Sequence, residues 1–374
     1  MPSTAKPIEE LRRAHPELAA VEAVATEPVY VVGGAVRDLL LGRGRADLDL
    51  VVVGDAAALA ARLGAAPVNH ERFGTAKVEI EGSAVDFASA RTETYARPGS
   101  LPDVEPARVI EDDLGRRDFS VNAIAVPLAH GGPDLVDPYG GRADIDAGLL
   151  RVLHDASFAD DPTRAIRAAR YAARLGFGLE PETEALLRAT DLGTVSAERR
   201  EAELLRLAVE ASAPRGFELL AEWGLVRPRP GGLDLAAAVA QLLERHPWRE
   251  ALAPVGRGRV LLAAALGPVA GEEELAATVP TCPSQAVEAA RGRDRVELAL
   301  ARALGAEWLD HYVREWSAVT LEIDGADLIA AGVPEGEALG RGLKEALRAK
   351  LDGEVDGREQ ELAAALAAAR GESA

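Results

Sequence analysis

The stretch from Tyr30 to Asp55, YVVGGAVRDLLLGRGRADLDLVVVGD, restricts the possible folds more than any other part of the chain. Val29 to Val32 is a β-type run that stops at Gly33-Gly34, and Ala35 to Leu41 then reads as a helix. Leu48 to Val53 is a second β run, followed by a helix over Asp55 to Leu63 with Asp55 as its N-cap. Side chains alternate faces along a strand, so Asp47 and Asp49 point one way and Leu48 and Leu50 the other. Neighbouring carboxylates on one face repel each other unless a cation lies between them. Mg²⁺ takes one or two carboxylates together with substrate phosphates. Two such ions about 3.5–4 Å apart can activate a hydroxyl and stabilise a departing pyrophosphate. Glycines at 33 and 34 let the backbone approach a triphosphate, the next helix offers free N–H groups, and Arg37 can add a charge-assisted contact. Asp38 caps or braces that turn. Either motif alone is ordinary, Asp-x-Asp as a solvated strand and Gly-Gly as a turn. Their joint spacing marks a phosphate site.

Further on, Lys77–Ile80 and Ser83–Ala88 read as strands around a Glu81-Gly82 hairpin. Strands alternating with helices predict a mixed-sheet α/β unit. A helix is expected over 8–24, and the proline-rich stretch 96–110 reads as a functional loop. Arg117 to Val126 reads as strand or helix, and Asp137 to Arg142 (DPYGGR) holds a turn. From Ser157 the pattern is helical almost to the end, with Pro162 at a helix start. Arg227 to Gly232 (RPRPGG) reads as a linker.

A chain of 374 residues is too long for one simple core. Aromatics make up only 4%, against a surface that relies on base stacking, and the single Cys282 excludes a disulfide framework. No signal peptide or membrane span is read, so a cytoplasmic protein is expected. The net charge of −19 opposes nucleic-acid binding unless the charge is uneven. It is uneven: Arg37, Arg43, Arg45, Arg116 and Arg117 lie in the first third, and Arg164, Arg167, Arg170 and Arg174 form one cluster.

Gly33-Gly34-x-Val36-Arg37-Asp38, then Leu41-Gly42 and Asp47-x-Asp49, resemble the head of class II tRNA nucleotidyltransferases and bacterial poly(A) polymerases. The resemblance continues in order through Arg116 to Ala123 (RRDFSVNA), Asp137-Pro138-x-Gly140-Gly141, Asp160-Asp161-Pro162-x-Arg164, Ser196 to Leu204 and Ile323 to Val355. It implies an α+β fold, with a polymerase-β-like mixed-sheet nucleotidyltransferase head followed by an all-helical neck, body and tail. The expected divisions are an N-terminal helix (1–24), the head (25–155), a neck with base-reading and RNA-binding residues (156–215), the body (216–315) and the tail (316–374). It implies Asp47 and Asp49 as catalytic and metal-holding, two Mg²⁺ ions, ATP and CTP as substrates, and the tRNA 3′ end as partner. No protein partner is evident.

The resemblance places nucleotide contacts at Gly33, Gly34, Arg37, Arg117, Asp118, Asn122, Asp161, Arg164, Arg167 and Arg170, and RNA contacts at Arg174 and Arg199. Asp161 and Arg164 lie three apart on an expected helix and share a face. Their carboxylate and guanidinium suit the amine and ring acceptors of C and A, against which an ordinary surface salt bridge is the alternative. Arg167, Arg170 and Arg174 read equally as a solvated basic face, and Asp118 as a brace. Asp86 is either a third acidic group or a buried Asp paired with Arg91. Asp160 stands where the family usually has Glu, which leaves its role open. CCA addition, CC addition, A addition and poly(A) synthesis all fit. A non-catalytic RNA-binding protein on a decayed head and an enzyme acting on a small molecule are the rivals.

Overall fold

The computed structural model describes residues 6–44, 47–64, 74–129, 133–268 and 271–371, so Arg45 lies outside the described residues. The β-branched runs become β1 (Val29–Val32) and β2 (Leu48–Val52), separated by α3 (Gly34–Leu40). Two earlier helices, α1 (Pro7–Ala14) and α2 (Leu18–Val24), replace the single helix expected over 8–24. Pro16 causes the break, since it brings no N–H and its ring clashes with the preceding turn. After β2 come α4 (Ala56–Arg62), β3 (Thr75–Ile80) and β4 (Ser83–Ser89). Asp55 caps α4 as expected, its Oδ1 accepting from the N–H groups of Ala57 (2.9 Å) and Ala58 (3.1 Å).

The stretch 96–110 is only partly loop. β5 (Arg91–Thr94) pairs antiparallel with β6 (Asp103–Pro106), and α5 (Ile110–Gly115) starts at its end. Pro106 is tolerated because it closes a strand in a two-stranded ribbon. Next come β7 (Ala125–Pro127), α6 (Gly141–Ala147), β8 (Leu149–Leu150), α7 (Ser157–Asp160), α8 (Thr163–Leu175), β9 (Gly178–Leu179), α9 (Pro181–Arg188) and α10 (Ala197–Ala208). The expected neck carries one interruption of its helical pattern, where β9 pairs parallel with β8.

The main sheet has the order β3-β4-β2-β1-β7, with β2 and β4 parallel and the other pairs antiparallel. Val51 packs with Ile110 and Leu114 of α5. Asp49 lies two residues earlier on the same face and stays exposed. α5 therefore covers one part of that face and leaves the carboxylate end of β2 open, which creates the room for a site.

By its contacts the chain divides into two units, residues 1–207 with 218–226, and residues 208–217 with 227–374. Among the described residues, all nine strands fall in the first. In the second, helices Glu337–Leu351 and Arg358–Arg370 pack around Leu328, Ala346 and Ala365. The Arg227–Gly232 stretch is not a solvated linker: Arg229 is buried and ion-paired with Glu272, and its N–H binds the Ala265 carbonyl at 3.1 Å. No described helix is long and apolar enough to cross a membrane.

Candidate active site

The open face of β2 carries a row of charges. Asp49 stands in register beside Asp86 of parallel β4, and Asp86 faces Lys77 of antiparallel β3. Lys77 Nζ reaches Asp86 Oδ2 at 3.3 Å, and the Asp86 side chain is 49% exposed. Asp86 is therefore neither buried nor paired with Arg91, whose guanidinium binds Glu93 instead. Desolvation by the surrounding walls pushes the Asp49 carboxyl above its ordinary range; Arg117 opposes this, while Asp86 and Asp47 add to it. Asp47 and Asp49 have no hydrogen-bond or ion-pair partner among the described residues. The two carboxylates are short of positive charge, a donor set that fits a hard divalent cation. Among the described residues no three His, Cys, Asp or Glu side chains gather to hold a metal alone. Phosphate and water oxygens would complete its shell.

A cavity of about 500 Å³ opens over these aspartates, within the first unit. That volume suits a small-molecule ligand. Gly33 and Gly34 line it. Gly33 has a φ of +67°, which favours glycine, and a side chain there would begin 3.0 Å from the Arg117 guanidinium, a tight approach that would push that guanidinium aside. Nine arginines and six carboxylates line the cavity, which leaves it net positive in a chain of charge −19. The uneven charge read from the sequence thus becomes a local one.

A relay of ion pairs and hydrogen bonds around buried Asp38, Arg37, Asn122 and Asp118 connects the head to α8. Arg174 binds Asp38 (3.0 Å), and Asp38 braces Arg37 through Nε at 2.9 Å. Arg37 donates to Asn122 Oδ1 (2.6 Å), and Asn122 Nδ2 donates to Asp118 (2.9 Å). Arg167 closes the relay on the other Asp118 oxygen at 2.6 Å. Burial alone would push the Asp118 carboxyl up, but Arg167 and Asn122 hold it down at about 2. The arginines of α8 do not form a solvated face. Ala165, Ile166, Ala168, Ala169 and Ala172 pack inward, while Arg164, Arg167, Arg170 and Arg174 all line the cavity. Arg170 lies over the Tyr171 ring at 4.8 Å, and Arg37 lies 5.5 Å from the same ring.

At the other end of the cavity stand Asp161 and Arg164. Asp161 is not helical: its backbone is extended between α7 and α8, and its Oδ1 accepts from Thr163 N–H (3.1 Å) and Oγ1 (2.7 Å) in a local turn. No ion pair links it to Arg164, so the surface salt bridge is not what the structure has. Arg199 binds Oδ1 instead at 3.0 Å and also donates to the Gly99 carbonyl at 2.7 Å. Asp161 Oδ2 keeps no partner among the described residues. Arg164 is buried, donating to Ser157 Oγ (2.7 Å) and the Arg116 carbonyl (2.8 Å). A free acceptor and an anchored guanidinium thus share one wall.

The turn at 137–142 supports the nucleotide stretch. Asp137 accepts from the N–H groups of Gly141 (2.7 Å) and Arg142 (2.9 Å), and a side chain on Gly141 would begin 2.1 Å from the Ser120 carbonyl oxygen. Sequence reasoning missed Glu93, Tyr95 and Pro102 in the cavity wall and Asp113 behind it. Tyr95 donates to Glu93 (2.9 Å), and burial, then Glu93, pushes its hydroxyl up to about 12. Their only sequence signal was position beside the proline-rich stretch.

A family model described as the Poly A polymerase head domain matches residues 29–151. An A-adding tRNA nucleotidyltransferase of Halalkalibacterium halodurans is 39% identical over 250 residues, 61% of this chain and 58% of that protein. A CC-adding tRNA nucleotidyltransferase of Deinococcus radiodurans is 34% identical over 348 residues, 88% of this chain and 87% of that protein. The solved complex of a CCA-adding enzyme with ATP superimposes with a TM-score of 0.74 at 27% identity, covering 96% of this chain and 95% of that one. Three of the curated relatives extend well beyond the match, which spans 58%, 26% and 26% of their lengths. A shared head, an arginine-lined cavity over two aspartates, and similarity over most of the chain place it in the tRNA nucleotidyltransferase family.

Proposed function

We propose that the chain is a template-independent tRNA nucleotidyltransferase that adds CMP, AMP or both from CTP and ATP to the tRNA 3′ end, releasing pyrophosphate. One observation carries this reading. Among the described residues, Asp38, Glu93, Asp118 and Asp161 in the cavity are each paired with arginine, whereas Asp47 and Asp49 are not. Two carboxylates without a partner among the described residues, inside an arginine-rich cavity, suit a site that takes its cation together with a triphosphate. Asp47 and Asp49 would hold Mg²⁺, which when bound polarises the reacting phosphate and the attacking hydroxyl. Asp86 stands in register to join them.

The glycine turn at 33 and 34 admits the triphosphate, with Arg117 beside it and Arg37 braced behind by Asp38 and Asn122. The Asn122–Asp118–Arg167 segment steadies the sugar and phosphate region, and Arg170 adds charge. Asp161 Oδ2 accepts from the exocyclic amine of C or A, and Arg164 donates to the neighbouring ring acceptor. U and G lack an amine at that place. Arg174 and Arg199 are assigned to the RNA side. We keep the division into helix 1–24, head 25–155, neck 156–215, body 216–315 and tail 316–374, and assign the body and tail to the tRNA. A cytoplasmic location fits this substrate.

A second reading, CC addition alone, is favoured by the Deinococcus radiodurans relative, whose similarity runs over most of the chain. The deciding experiment offers tRNA ending at the discriminator base, at C and at CC, with each labelled NTP and Mg²⁺. Extension of all three to CCA supports full addition, extension stopping at CC supports the second reading, and extension only of the CC-ended tRNA makes it an A-adding enzyme. No extension of any substrate would overturn the proposal.

A further inference from the structure

Two adjacent arginines, Arg116 and Arg117, line the cavity, and both are gripped from behind by a carboxylate that does not line it. Asp113 is fully buried on α5. Its Oδ1 accepts from Arg116 Nε at 2.9 Å and from the Arg91 N–H at 3.2 Å, while its Oδ2 accepts from Arg117 at 3.0 Å. Each oxygen addresses a different guanidinium, so one side chain fixes both. Arg116 is tied further to Glu93 at 3.1 Å, and its carbonyl receives Arg164 at 2.8 Å. Arg117 stands against Gly33, and its charge reaches Asp49. Burial disfavours the charged form of Asp113, yet Arg117 and Arg116 hold its carboxyl below the usual range. Like charges side by side would otherwise splay apart.

We infer that Asp113 is a positioning residue for the nucleoside triphosphate: it holds Arg116 and Arg117 as a pair facing the phosphates and, through the Arg116 backbone, steadies the base-side Arg164. The inference rests on the nucleotide-binding reading above. The side chain touches no substrate and acts through its arginines. An aspartate suits the place because its short fork reaches both guanidinium groups with charge-assisted bonds.

The test is equilibrium binding of Mg·ATP and Mg·CTP to the full chain and to Asp113→Asn, Arg117→Gln and the double variant. Each single change is expected to raise Kd about tenfold or more. The double variant should bind within about threefold of the weaker single, because both changes remove the same element. In turnover, KM for NTP should rise by the same factor while kcat at saturating nucleotide stays within about threefold. Wild type that binds neither nucleotide would overturn the nucleotide reading itself. Wild type that binds, with Asp113→Asn unchanged, with single effects that multiply in the double variant, or with a loss confined to kcat, would overturn the role of Asp113 alone. Should Asp113→Asn not fold, Arg117→Gln carries the test, and wild-type binding by that variant overturns the inference.

Discussion

Replacing Asp118 by Asn removes one charge from the middle of the relay while keeping the shape of the side chain. The Asp118 carboxyl lies at about 2 against an ordinary 3.8, and that gap corresponds to roughly 2 kcal/mol of stability at pH 7. The Arg167 side chain is 32% exposed, so water takes up part of its orphaned charge, and about 2 kcal/mol is the expected loss. The folded value is depressed, so the stabilisation is complete above the unfolded value near 3.8 and disappears as the pH falls through 2. Arg167 is raised above its ordinary value and stays protonated throughout, so the carboxylate carries the pH dependence. At pH 3 about half of that remains from the same two values. Hydrogen exchange of the β1 and β2 amides, corrected for intrinsic rates, reads the opening free energy of the first unit without interference from the second. The wild-type advantage should narrow between pH 7 and pH 3. An advantage below about 0.5 kcal/mol at pH 7, or one that does not change with pH, refutes the ion-pair account.

Asp49→Ala is expected to lower transfer on the order of 10³-fold in a labelled-NTP extension assay; unchanged turnover refutes the metal assignment. Asp161→Ala should erase the preference for C and A over U and G, and the lost hydrogen bonds to Thr163 should cost about 1 kcal/mol in thermal unfolding. Unaltered base selection would remove Asp161 from base reading. Gly141→Ala places a carbon where the Ser120 carbonyl oxygen stands and should cost at least about 2 kcal/mol, read by exchange of the same amides. A variant as stable as wild type would show that the Ser120 turn can yield.

The alternation of Leu48, Asp49, Leu50 was legible because strand geometry is local: a period of two sets which side chains share a face. The Gly33-Gly34 turn and the Asp55 cap were legible for the same reason. The break at Pro16 was also written locally, but the helical pattern on either side hid it. Strand β6 was not legible, because Val104 among prolines gives no run of β formers and becomes a strand only by pairing with Arg91–Thr94. Asp161 was placed on a helix that it only precedes. Asp-Pro marks a helix start without saying on which side of it the carboxylate stays.

By itself, then, the sequence determined which residues can do chemistry here: the two aspartates on one strand face, the glycine turn, and the run of arginines spaced along α8. Only the tertiary structure decided how those charges divide. Arg167 and Arg174 are each taken by a buried carboxylate, Asp86 belongs to Lys77, and Asp47 and Asp49 are left without a partner among the described residues. The physical reason is range. Helix and strand periods act over a few residues, whereas an ion pair such as Arg174 with Asp38 joins positions 136 apart and exists only once both elements are packed.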